Sequence, residues 1–182
     1  MNLYHYFDRS TGPFRNLSDV SDHEAERLLA AITTDRPTCF CAKRSPDYMQ
    51  LRRYYEAILR TEFLKKGGIV QRTAPHYMVV EACPWLETWY EDPTCICIPI
   101  LNFDLRTVSF TYGDSHPTFS ERVDDGKEYR KQLYTYDEIL KIIDKYGLPQ
   151  NWNADGRYGP ERYIEAHIWC DEPLKPYLAS RF

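Results

Sequence analysis

Residues 162–170, Arg-Tyr-Ile-Glu-Ala-His-Ile-Trp-Cys, alternate strictly between two kinds of side chain. Successive side chains of a strand point to opposite sides, so Ile164, Ala166, Ile168 and Cys170 form an apolar row. Tyr163, Glu165, His167 and Trp169 form the other. A carboxylate and an imidazole between two aromatic rings are costly on a face that merely meets water, and they suit a ligand cleft, with Arg162 as a further polar group. A charged Glu165 would stabilise a developing positive centre, whereas a neutral one would donate a proton. Burial would raise its pKa and a cationic neighbour would lower it. The structural alternative is a sheet edge on which Glu165 pairs with an arginine.

A second concentration of chemistry lies in Ser109-Phe-Thr-Tyr-Gly-Asp-Ser-His-Pro-Thr-Phe119, which gathers hydroxyls, Asp114 and His116 around a strand end and a turn. Loops held by rigid strands often carry ligands. The competing reading is a turn in which Asp114 caps backbone N–H groups. Residues 45–66 read as a basic helix, with Arg52, Arg53, Arg60, Lys65 and Lys66 on it and Lys43 and Arg44 just before. Arg53, Glu56 and Arg60 share one face, and Glu56 with Arg60 makes an ordinary i,i+4 pair. Such a face is either solvated or tracks phosphates, with Tyr54 and Tyr55 available for stacking on bases.

Signatures of several common enzymes are absent: no G-x-x-x-x-G-K-[ST], G-x-G-x-x-G, G-x-S-x-G or H-E-x-x-H occurs. Five dispersed histidines give no ligand spacing, so no metal is expected. The Cys-x-Cys pairs Cys39/Cys41 and Cys95/Cys97 are too closely spaced for a usual zinc site and read as small core hydrophobes.

The elements that must position these groups follow from periodicity and punctuation. Leu3–Phe7 reads as a short aromatic strand. Ser21 and Glu24 have capping-box spacing ahead of Ala25, Leu28, Leu29 and Ile32. Ser45-Pro46 opens the basic helix, which stops at Lys65-Lys66-Gly67-Gly68. Strands are expected over 76–82, 95–100 and 107–112, the last with Val108, Phe110 and Tyr112 on one face. Thr135 and Glu138 repeat the capping-box spacing before a helix ended by Gly147 and Pro149. A helical part at about 18–68 and a strand-rich part at about 76–182 predict one α+β domain over 1–182, a bent and largely antiparallel sheet flanked by helices.

With 182 residues, a net charge of −4, and 15 Tyr, 8 Phe and 4 Trp, the chain can bury a real core, and its surface is not shaped throughout for nucleic acid. The opening residues do not read as a signal peptide and no apolar run reaches the roughly 20 residues of a membrane span, which predicts a cytoplasmic protein with no membrane partner.

Over nearly its whole length the chain resembles a group of bacterial proteins of similar size, through Leu3-Tyr-His-Tyr-Phe7, Gly12–Ser18, Ser109–Asp114, Asp125–Arg130 and Gly159–Glu165. That likeness carries no chemistry. A more distant one does. The order of elements, a Leu-Tyr-His strand at the start and a late strand bearing a glutamate before a Pro-containing tail (residues 173–178) resemble the ADP-ribosyltransferase fold, in the branch of DNA-modifying toxins. The resemblance implies NAD as substrate, with Glu165 holding the ribose and stabilising an oxocarbenium-like centre, His5 orienting the dinucleotide and Tyr112 stacking on nicotinamide. It also implies a protein or nucleic-acid acceptor. Two positions depart from the family pattern: Phe7 stands where a hydroxyl residue is usual, and Tyr163 replaces the polar residue two before the glutamate. The competing classes are a non-catalytic ligand- or protein-binding domain with an aromatic cleft, and a nucleic-acid binder working through helix 45–66.

Overall fold

The computed structural model describes residues 1–37 and 39–178, and it leaves out the side chain of Cys41. Five antiparallel strands form one sheet in the order β3-β1-β2-β5-β4. They are β1 (Asn2–Asp8), β2 (His76–Val80), β3 (Pro93–Pro99), β4 (Val108–Thr111) and β5 (Glu165–Ile168). The principal helices are α1 (Asp22–Asp35), α2 (Tyr48–Lys65), α3 (Ser115–Phe119) and α4 (Tyr136–Tyr146), with short α5 (Pro149–Trp152) and α6 (Lys175–Leu178). The expected α+β class is what the chain adopts. The first strand pairs on both sides within the sheet, so the helical and strand-rich stretches share one framework.

Local signals explain most boundaries. The Ser21 hydroxyl accepts the Glu24 N–H at the start of α1. At α4 both halves of the capping box form, and Glu138 accepts the Thr135 N–H at 2.8 Å. Helix α2 begins at Tyr48, two residues later than Ser45 as N-cap and Pro46 as first helical residue suggested, because a turn over 45–48 (Tyr48 N–H to Ser45 carbonyl, 3.0 Å) precedes the helix proper. It ends as expected, with Gly67 at φ +81°.

The two faces of the sheet differ. One carries Leu3, Phe7, Met78, Val80, Ile96, Ile98, Val108, Phe110, Ala166 and Ile168, packed with Ile139 of α4 and with Tyr112, Tyr129 and Tyr134 into the main core. On the other face, Tyr55, Leu59 and Phe63 of α2 close over Trp169, Phe119 and Leu133. Farther along, Tyr6, Val79, Leu86 and Tyr163 make a third apolar cluster. The polar residues of β5 fall between these last two clusters.

Two expectations about packing are corrected. Cys95 and Cys97 are exposed, whereas Cys39, Cys83 and Cys170 are buried. On edge strand β3 it is Ile96 and Ile98 that turn inward. Glu56 is only 4 % exposed and pairs with Arg52 (3.0 Å) on the previous turn instead of Arg60. No helix among the described residues is long and apolar enough to cross a membrane.

Candidate functional site

Strand β5 lies between β2 and β4, so its polar row has neighbours on both sides. The register aligns Tyr77, His167 and Ser109 in one rung, and Val79, Glu165 and Thr111 in the next. Glu165 is thus interior to the sheet, not at an edge beside an arginine. His167 and Ser109 are fully buried, and Glu165 is 6 % exposed.

The hydrogen bonds here run in one direction. An indole N–H can only donate, and Trp169 Nε1 donates to Ser109 Oγ at 2.9 Å. The Ser109 hydroxyl then donates to His167 Nδ1 at 3.2 Å, which leaves the Nε2–H to donate to Glu165 Oε1 at 2.9 Å. The direction of the chain assigns this tautomer. Oε1 also accepts the Ser115 N–H at 3.3 Å. Oε2 has no hydrogen-bond partner among the described residues, and 8 % of the side chain stays open to solvent. The chain therefore ends on a carboxyl group with Oε1 doubly engaged and Oε2 left over.

A second carboxyl stands alongside. Gly113, at φ +113°, turns the chain out of β4, and a Cβ there would lie 3.1 Å from that of Glu161. The turn sets Asp114 as N-cap of α3, its Oδ1 accepting the His116 N–H at 2.7 Å and its Oδ2 the Tyr163 hydroxyl at 3.0 Å. Burial, and next the charge of Glu165, push the Asp114 pKa up to about 6. His116 is half-buried with its ring 4.8 Å from Tyr55, and burial lowers its pKa.

A third carboxylate buttresses the rung from above. Glu56 Oε1 accepts the hydroxyls of Ser18 (2.7 Å) and Tyr77 (2.9 Å). Arg52 reaches Ser18, Asn16 and Tyr48 and lies 4.7 Å over the Tyr77 ring, whose edge meets His167 at 5.8 Å. Arg52, Glu56, Tyr77, Ser109 and Ser115 were not singled out as site residues from the sequence. For Ser109 a signal existed, its place on the polar face of an alternating strand.

Other expected site residues lie elsewhere. His5 points to the main-core face, opposite Glu165. Its ring stacks 4.1 Å from Phe14, its Nδ1–H donates to the Tyr77 carbonyl at 2.9 Å, and its Nε2 accepts the Phe14 N–H at 2.8 Å. Burial brings its pKa down to about 4, which keeps Nε2 free to accept. Phe14 has φ +55°, so His5 fixes a strained turn. Tyr112 is fully buried on that same face, against Tyr129 at 4.7 Å, and its hydroxyl donates to the Gly147 carbonyl at 2.8 Å. Neither can orient a ligand at Glu165. Arg162 lies 4.2 Å over the Trp85 ring and donates to the Asp155 carbonyl, away from the carboxyls. Tyr163, Asp114, Glu165, His167 and Trp169 do converge, with His116 at the margin.

The cations of the basic helix are largely engaged inside the molecule. Besides Arg52, Arg53 binds Asp22 and the Val20 carbonyl, Lys65 binds Glu62, and Lys66 binds Glu138. Among the described residues no three His, Cys, Asp or Glu side chains are grouped to hold a metal ion. Comparison with protein-family models, curated proteins and solved structures returns no match.

Proposed function

We propose that the protein is an enzyme acting on the N-glycosidic bond of NAD or a related nucleotide, through Glu165 and Asp114 and without His5 or Tyr112. The observation that supports this most is Oε2 of Glu165, an acceptor without a hydrogen-bond partner among the described residues, on a side chain that the Trp169–Ser109–His167 chain orients and that is 8 % exposed. When the C1′–N bond breaks, its electron pair leaves with the base, and nicotinamide departs uncharged. The ribosyl cation left behind is stabilised by the Glu165 carboxylate, held in place before the charge develops. Water or an acceptor hydroxyl adds to C1′ and gives its proton to Asp114, which is ionised above about pH 6. Two carboxyl groups with different environments supply the two roles. The resemblance to the ADP-ribosyltransferase fold supports the choice of substrate.

The test is nicotinamide release from NAD by the wild type and by Glu165→Gln. The substitution should reduce turnover by about 10²–10³-fold, the cost of removing one electrostatic stabiliser, while the circular dichroism spectrum is unchanged. Turnover should rise with pH through about 6 as Asp114 loses its proton, and Asp114→Asn should abolish that rise. Equal release by wild type and Glu165→Gln, or no release together with no change in melting temperature at millimolar NAD or ADP-ribose, would overturn the reading. Near-complete burial of His167 and Ser109 favours the second reading, a non-catalytic binding domain. Binding of ADP-ribose without turnover of NAD would select it.

A further inference from the structure

A hollow of about 540 Å³ lies on the far side of the sheet from Glu165, lined by Tyr129, Tyr146, Trp152, Tyr158 and Lys127. That volume is in the range of small-molecule sites, and the hollow is shallow and wide open to solvent, so an occupant would be covered on one side only. Four of the five lining side chains are aromatic, and they come from separate stretches of chain. The rings of Tyr129 and Tyr146 stand 5.3 Å apart and nearly perpendicular, backed by Tyr112. Trp152 and Tyr158 stand 6.2 Å apart, and they remain 36 % and 68 % exposed. The Trp152 and Tyr158 rings pack against each other at a 51° tilt and leave their outer faces to solvent, and such adjoining exposed rings leave apolar area uncovered.

The charges around the hollow select its occupant. Lys127 Nζ already lies 5.7 Å from the centre of the Tyr129 ring and binds Glu161 and the Tyr158 carbonyl. A cationic ligand gains little, because the two nearby carboxylates, Asp125 and Glu161, are already paired with Lys127 and Arg130. An anion gains little either, because Lys127 and Arg130 are matched by Asp125 and Glu161, both of which they bind. Farther out, Lys145 pairs with Glu128 and Arg157 with Asp155. What remains attractive is a flat ring without net charge. We infer that this hollow is a binding site for a neutral planar heterocycle of nucleobase size, held by stacking on Trp152 and Tyr158. Stacking of a base on such rings is sequence-tolerant and modest in strength.

The inference does not depend on the proposed reaction, and its test reads a different part of the molecule. Adenosine serves as the neutral probe, followed by calorimetry and by the quenching of tryptophan fluorescence. It should bind at submillimolar to millimolar concentration, with the quenching lost in Trp152→Phe and affinity reduced at least tenfold in Tyr158→Ala. Both positions are exposed enough for the variants to fold, and an unchanged melting temperature checks this. AMP should bind no more than about threefold more tightly than adenosine, with little dependence on salt. A single-stranded oligonucleotide should gain only what several stacked bases supply. No binding of adenosine or thymidine at their solubility limits would overturn the inference, as would undiminished affinity in Tyr158→Ala. Preferential binding of tetramethylammonium, or AMP binding that is much tighter and strongly salt-dependent, would overturn the assignment of a neutral ligand.

Discussion

His5 and His167 sit on opposite faces of the same sheet, and both use both ring nitrogens. His5 spends them on the backbone, donating to the Tyr77 carbonyl and accepting from the Phe14 N–H, with aromatic rings at 4.1 Å and 5.6 Å. Its hydrogen bonds close within the fold. His167 spends them on the side chains of Ser109 and Glu165, in a chain that ends on one oxygen of a carboxyl group whose other oxygen, Oε2, has no hydrogen-bond partner among the described residues. Buried polarity that closes on the backbone holds a fold together. Buried polarity that ends on an open acceptor leaves an interaction for a ligand to complete.

The comparison is most strongly broken at its structural end. His5→Ala should destabilise the protein by about 2–4 kcal/mol, from an unsatisfied Phe14 N–H (about 1–3 kcal/mol) and a lost ring stack (about 0.5–1.5 kcal/mol). Urea denaturation measures this, and any residual activity of the folded variant should be near wild type. A His5→Ala variant of native stability that is inactive would reverse the assignment of the two faces. Ser109→Ala removes the link between Trp169 and His167. It should cost about 1–3 kcal/mol and lower turnover about tenfold, read from urea midpoints and steady-state rates. Tyr112→Phe deletes only the hydroxyl, which donates to the Gly147 carbonyl at 2.8 Å and reaches the Tyr146 carbonyl at 3.3 Å. It should cost about 1 kcal/mol and leave turnover unchanged, which separates it from a nicotinamide-stacking role.

The pH dependence sharpens the contrast further. The His5 pKa lies at about 4 in the fold, below the ordinary 6.5, so between those values the unfolded chain binds the proton and the folded one does not. Stability from this residue therefore rises with pH across that window and is lost on acidification. Asp114 acts in the opposite sense. Its pKa is raised from 3.8 to about 6, so the folded state holds the extra proton and stability falls as pH rises from about 4 to 6. Asp114→Asn should make the net rise in stability over that range steeper. Urea titrations at pH 4, 5, 6 and 7 would show it, and an unchanged slope would argue against a protonated Asp114.

Much of this was legible in the chain, and the failures share a physical cause. Alternation in 162–170 separated the polar from the apolar row correctly, and the capping residues located α1 and α4. Alternation also put Tyr112 in a row with Val108 and Phe110, where it is found. What period two does not reveal is the register between strands, which decides which rows share a face. Placing His5 and Tyr112 beside Glu165 required that missing register. Glu56 failed for a similar reason: Arg52 and Arg60 flank it at equal helical spacing, and only the packing of α2 on the sheet chooses between them. Cys95 and Cys97 failed because alternation identifies two faces of an edge strand and not which one is covered.

The five histidines offer the most direct measurement. In a titration with ADP-ribose followed by imidazole NMR resonances, His167 and His116 should shift, while His5 and His76, on the core face, should not. Movement of the His5 resonance with His167 left unchanged would place the ligand on the wrong side of the sheet and contradict the account.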